Sequence, residues 1–115
     1  GEKSGTGWLK FKNGSYLLGR FEGNNFTGGV SLQKTGNEIY FGSYNGKRNG
    51  YGELQNTAGG KYVGEFRDDR LVKGYAKEVD PFGYYSYSQI QNGKKIPVEA
   101  ETAEEFFGLT LSADK

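Results

Sequence analysis

The stretch KYVGEFRDD, residues 61–69, alternates like a half-buried β-strand but carries Gly64 near its centre. A strand glycine packs no side chain and loses extra backbone entropy on folding. The same phrase recurs, as YLLGRFEGN from Tyr16 and as IYFGSYNGK from Ile39. Aligned on Gly19, Gly42 and Gly64, the units lie 23 and 22 residues apart. Two positions after each glycine comes a ring, Phe21, Tyr44 or Phe66. Two positions before stand Leu17, Tyr40 and Tyr62. A costly feature written three times is a structural device.

A second glycine cluster falls between these phrases: GTG at residues 5–7, TGG at 27–29, GYG at 50–52 and GYA at 74–76. Gly14, Gly36, Gly59 and Gly83 follow seven residues after Gly7, Gly29, Gly52 and Ala76. Each unit therefore reads strand, turn, strand, turn. Turns are assigned to Asn13-Gly14, Asn45-Gly46, Asn49-Gly50 and Asn92-Gly93, since both residue types tolerate positive φ. The step from Gly29 to Gly42 is 13 residues, against 12 from Gly7 to Gly19 and from Gly52 to Gly64. That extra residue predicts a bulge or a longer turn within residues 34–38.

The phrases GTGWLKFKNGSYLLGRF, GYGELQNTAGGKYVGEF and YFGSYNGKRNGYG resemble the MORN repeats (membrane occupation and recognition nexus). The resemblance covers residues 4–76 and continues in degraded form to residue 93. In the last unit Ser88 stands where the glycine belongs, as in an atypical repeat that caps an array. The resemblance implies an all-β antiparallel meander of stacked β-hairpins, a single-layer twisted sheet. It also implies scaffold, membrane-adjacent or accessory roles, including regions beside lipid kinases.

Alternation puts Tyr62, Gly64 and Phe66 on one sheet face, stacked on Tyr40, Gly42 and Tyr44 and on Leu17, Gly19 and Phe21. The glycine is expected to leave a slot that a neighbouring ring covers. The other face shows Trp8, Tyr16, Leu18, Phe41 and Val63 among Lys10, Arg20, Ser43 and Glu65. Such a face needs a cover. Residues 1–97 form the expected array, and residues 98–115 supply the candidate cover. In ETAEEFFGLTL, Thr102 with Glu105 suggests a capping box and Gly108 a stop, with Phe106, Phe107, Leu109 and Leu111 as the apolar payload.

Composition narrows the chemistry. The chain has 115 residues, 20 of them Gly, no Cys and no His, with aromatics at 16% and apolar residues at 34%. One domain of short strands and tight turns follows. The two absences remove disulfides, thiol nucleophiles, thiolate metal sites and the commonest general base. A net charge of +1 gives no case for nucleic acid. The chain begins with Gly1, not Met, and reads as processed or excised. Its compartment stays open between a cytoplasmic or membrane-peripheral place and export.

Catalytic motifs are imitated but incomplete. GGVSLQKTG has Gln33 where a phosphate loop needs glycine. KTG at residues 34–36 lacks the Ser-x-x-Lys partner of a β-lactamase. Asp68, Asp69, Arg70 and Asp80 fall in predicted turns and lack the alternate oxygen spacing of a calcium loop. Asn13-Gly14-Ser15 and Asn25-Phe26-Thr27 match glycosylation sequons by pattern and are read as turns. No enzyme activity, cofactor or metal is expected.

The sequence thus points to a non-catalytic interaction module with a protein partner. Its candidate surface is the rings Trp8, Tyr16, Tyr40, Phe41, Tyr44, Tyr62 and Phe66. A membrane-surface binder is the alternative, using Lys10, Lys12, Arg20, Lys47, Arg48 and Lys61 on anionic headgroups. An accessory region of a lipid-kinase-type parent is a variant of that reading. A glycan- or cell-wall-binding hairpin array is the third, limited by Trp8 being the one Trp.

Overall fold

A computed structural model of the chain describes residues 5–112, with side chains through residue 108. Strands β1 (Gly5–Lys10), β2 (Tyr16–Glu22), β3 (Asn25–Thr35), β4 (Glu38–Tyr44), β5 (Arg48–Asn56), β6 (Lys61–Arg67), β7 (Arg70–Val79), β8 (Tyr85–Gln91) and β9 (Lys94–Pro97) are followed by helix α1 (Ala100–Ser112). The strands form one sheet of nine, in chain order and all antiparallel. This is the expected meander of stacked hairpins with a short C-terminal helix. It is elongated, with extents of 52 × 28 × 27 Å.

The turns explain the pairing. Asp68-Asp69 and Asn92-Gly93 connect their strands with positive φ at both positions, the geometry that matches strand twist. The longer loops are closed by side chains. Asn13 Oδ1 accepts from Ser15 N, Asn56 Oδ1 from Ala58 N and Gly60 N, and Asp80 Oδ1 from Phe82 N and Tyr84 N. Asn49-Gly50, assigned to a turn from sequence, lies inside β5. The β4–β5 reversal is completed before it, at residues 45–47, where Asn45 N donates to Lys47 O.

Glycines face glycines across the sheet. Gly7 pairs with Gly19 and Gly19 with Gly29. Further along, Gly42 pairs with Gly52, Gly52 with Gly64 and Gly64 with Gly74. The row steps by two residues within hairpin β3–β4, where Ser31 takes the place opposite Gly42. It steps again within β7–β8, where Ala76 faces Ser88. These steps absorb the length difference noted above. The expected bulge or longer turn at residues 34–38 is absent: β3 runs on to Thr35, and Gly36-Asn37 makes a two-residue turn. Register shifts lie instead between Gly42 and Tyr44, between Arg20 and Phe21 and between Glu65 and Phe66.

The slot left by Gly64 is filled by backbone, not by a ring. With φ +147° it lies so close to β7 that a Cβ would run into the carbonyl oxygen of Lys73 and the Cα of Gly74. The ring-over-glycine arrangement occurs at Gly52, which Tyr40 covers. On this face Tyr40, Leu54 and Phe66 form a buried cluster with Tyr62 and Leu71, and Tyr40 meets Phe66 edge-on at 5.4 Å.

On the opposite face α1 lies over the C-terminal strands. Ala103 and Phe107 are buried against Val63, joined by Tyr75, Tyr87, Val98 and Phe106. The helix starts earlier and ends later than its sequence signals suggest. Thr102 N and Ala103 N donate to Glu99 O, so Thr102 lies within the first turn. Gly108 is helical and exposed, and the helix continues through it to Ser112. Leu109 and Leu111 lie outside the described side chains.

Candidate functional site

Register sorts the candidate rings onto two faces. Lys10 faces Tyr16, Trp8 faces Leu18, Tyr16 faces Leu32, Leu18 faces Val30 and Leu32 faces Phe41. These residues share the face that α1 covers further along. Trp8 is 58% exposed, Leu18 and Phe41 47% each. The helix therefore covers its own end of the sheet and stops short of them. The expectation that it would cover Trp8, Leu18 and Phe41 together with Val63 holds only for Val63.

Tyr40 and Phe66 do not belong to a surface. They are buried to 1% and 2% exposure and hold the glycine face together. The Tyr40 hydroxyl donates to Ser43 O at 2.7 Å, and the Arg48 guanidinium lies 5.3 Å from its ring centre. Burial drives its pKa up to about 12, opposed by Arg48 and reinforced by Asp69. Tyr62 is part-buried and donates to Glu78 Oε2 at 3.1 Å. Burial, then the Glu78 charge and hydrogen bond, raise it to about 12. Both phenols are thus held neutral, as packing groups with one hydrogen bond each. Tyr62 also lines a cleft of about 340 Å³ with Leu54, Leu71 and Ile90.

Tyr16, Tyr44 and Lys12 come together around a second cleft, of about 580 Å³, at the β1–β2 turn. That turn is stitched to β3: Asn13 Nδ2 donates to Lys34 O, and Ser15 Oγ accepts from Lys34 N. The cleft walls are therefore fixed by hydrogen bonds between neighbouring hairpins. Tyr44 also stacks on Phe26 at 6.2 Å.

The candidate cations are dispersed. Lys10 and Arg20 lie on the Trp8 face, Lys12 in the β1–β2 loop, and Lys47 and Arg48 at the β4–β5 reversal. Lys61 is paired with Glu53 at 3.1 Å and sits 5.3 Å from the Phe107 ring centre. Asp68 and Asp69 are turn residues, and Asp69 Oδ1 accepts from Arg48 N. Among the described residues, no group of three or more acidic, His or Cys side chains is placed to hold a metal ion.

Sequence reasoning missed Val30, Leu32 and Ile39 as part of the exposed apolar face. Only the pairing of β3 with β2 and β4 brings them beside Leu18 and Phe41. No protein-family model and no curated protein matches the chain.

Proposed function

We propose that the chain is a non-catalytic interaction module of MORN-repeat type, which binds a protein through the apolar face of β1–β4. One observation carries this reading. Leu18 and Phe41 stand half exposed on a sheet face whose other end is covered by α1. A contiguous apolar strip of this kind marks an interaction surface more often than a solvent face. The glycine register and the hairpin array support the repeat assignment. The dispersed cations weigh against a membrane-surface role, since anchoring to anionic lipid draws on a clustered basic patch.

The test places a photo-crosslinking phenylalanine analogue at position 41 and, separately, at position 82, in the protein produced in its native host. Discrete protein adducts from position 41 alone are expected. No adduct, or the same adducts from both positions, overturns the reading. Anionic vesicles that sediment the protein while position 41 gives no adduct would favour the lipid alternative.

A further inference from the structure

The array repeats at a longer period than one hairpin pair suggests. Gly7 to Gly52, Gly19 to Gly64, Gly29 to Gly74 and Ser31 to Ala76 are each 45 residues apart, and Gly42 to Ser88 is 46. Apart from the terminal pair Thr35↔Glu38, the pairings of β1–β4 map onto β5–β8 with these offsets: Gly7↔Gly19 onto Gly52↔Gly64, Gly19↔Gly29 onto Gly64↔Gly74, and Leu32↔Phe41 onto Lys77↔Tyr87. Strands β1–β4 and β5–β8 are therefore two copies of one four-strand unit.

This equivalence gives the exposed face a meaning. In the second unit α1 rests on Val63, Tyr75 and Tyr87. The same places in the first unit hold Leu18, Val30 and Phe41. The flanking pair Lys61 and Lys77 becomes Tyr16 and Leu32. At these five places the first unit repeats the helix seat in apolar residues, while the place of Val98, beside Tyr87, is taken by Glu53, which faces Phe41 and pairs with Lys61. Around it Lys10, Arg20 and Lys34 lie exposed on the same face. The helix seated on the second unit is acidic, with Glu101, Glu104 and Glu105, and Glu104 reaches Lys77 at 3.9 Å.

We propose that the first unit is a second helix seat, which takes an acidic amphipathic helix of a partner protein. The helix lays a small residue and an aromatic pair, spaced as Ala103, Phe106 and Phe107 are, onto Leu18, Val30, Leu32 and Phe41. Its carboxylates meet Lys10, Arg20 and Lys34. The chain's own α1 is already buried on the second unit, so it is not the occupant of the first. This proposal rests on the interaction-module reading and specifies the partner's chemistry.

The probe is a synthetic peptide with the sequence of residues 98–112, titrated into the full chain. Trp8, the one Trp, faces Leu18 at the edge of the seat and reports binding by its fluorescence. The tethered α1 holds its own seat at a high effective concentration, so free peptide fills the other. A saturable change in Trp8 emission is expected. Phe41→Glu and, separately, Leu18→Gln should weaken binding at least about tenfold, because an apolar anchor is removed or a like charge added. Phe82→Ser, at an exposed loop, should leave it unchanged. Both seat positions are half exposed, and an unchanged melt of each variant shows that the fold is intact. Absence of binding, binding indifferent to both seat variants, or equal binding of a peptide with Lys at each Glu overturns the proposal. So does sedimentation showing a dimer that Phe41→Glu dissolves, which makes a second copy the occupant. If position 41 still crosslinks to a protein when the peptide fails, the interaction reading stands and only the helix is lost.

Discussion

Gly64 shows how a residue can be read correctly as a device and incorrectly as to what it accommodates. The repeat spacing marks the glycines, but only the pairing shows that Gly64 faces Gly74 with no room between them. Valine there must take a left-handed extended φ and displace a neighbouring backbone, not a side chain. Gly64→Val should cost about 2–6 kcal/mol, the sum of overpacking and backbone strain. A thermal melt equal to that of the parent would show the contact to be dispensable. Ser31 carries the opposite expectation. It is fully buried, and its Oγ has no hydrogen-bond partner among the described residues. Its counterpart in the second unit is Ala76. Ser31→Ala should therefore stabilise the protein by roughly 1 kcal/mol, since it removes a desolvated hydroxyl; a lower denaturation midpoint would refute this. Tyr40 and Tyr62 set the alkaline limit. Each phenol holds its proton more tightly folded than unfolded, so its contribution is complete below pH 10 and lost as pH rises toward 12. The melting temperature should fall across that window, and less steeply in Tyr40→Phe and Tyr62→Phe than in the parent.

Among the elements, α1 shows where local sequence signals stop. Thr102, Glu105 and Gly108 gave a helix in the right place but with the wrong ends, and of the four residues expected beneath it only Val63 is covered. Glu99 starts the helix because its carbonyl receives the first amides. Gly108 fails to stop it because a glycine in an exposed helix costs only about 1 kcal/mol, which tertiary burial of Phe107 offsets. The turns divide similarly. Asn92-Gly93 was legible because its neighbours alternate on both sides, whereas Asn49-Gly50 became strand once Asn45 and Lys47 closed the reversal. Truncation after Val98 should expose Val63, Tyr75 and Tyr87 and lower the melting temperature, with self-association through that face. Phe107→Ala should cost about 3–5 kcal/mol by the same loss of packing. The Lys77–Glu104 pair, long and half exposed, should contribute under about 1 kcal/mol. An unchanged melt after truncation would detach α1 from the fold.

For the whole molecule, the sheet and its two faces were legible because strand alternation and a repeated glycine fix both. The candidate surface was only half legible. Phe41 and Tyr40 are adjacent in sequence and equally aromatic, and only packing against Leu54 and Phe66 buries one while the other face stays open. The two-unit equivalence also escaped: the 45-residue spacing of Gly7 and Gly52, Gly19 and Gly64, and Gly29 and Gly74 stands in the sequence, but aligning Gly19, Gly42 and Gly64 matches a period of half that length. Burial is uneven along the array: β6 is packed on both faces, whereas β1 is exposed at five of its six residues. Amide hydrogen exchange should therefore be slowest in β6 and β7 and fastest in β1. Uniform protection across all strands would instead make the array one cooperative block.

Strand order that copies chain order also fixes the mechanical response. Tension applied along the chain from its N-terminal side meets β1 first, and among the described strands β1 pairs only with β2. Load then falls on a few hydrogen bonds at a time, and each released strand exposes the next to the same load. Such a sheet peels open as a zipper does and yields at low force in many small steps. A sheet whose terminal strands lie side by side resists until all their bonds shear together. Under tension this protein would pay out length gradually, and the end seated beneath α1 would be the last to let go.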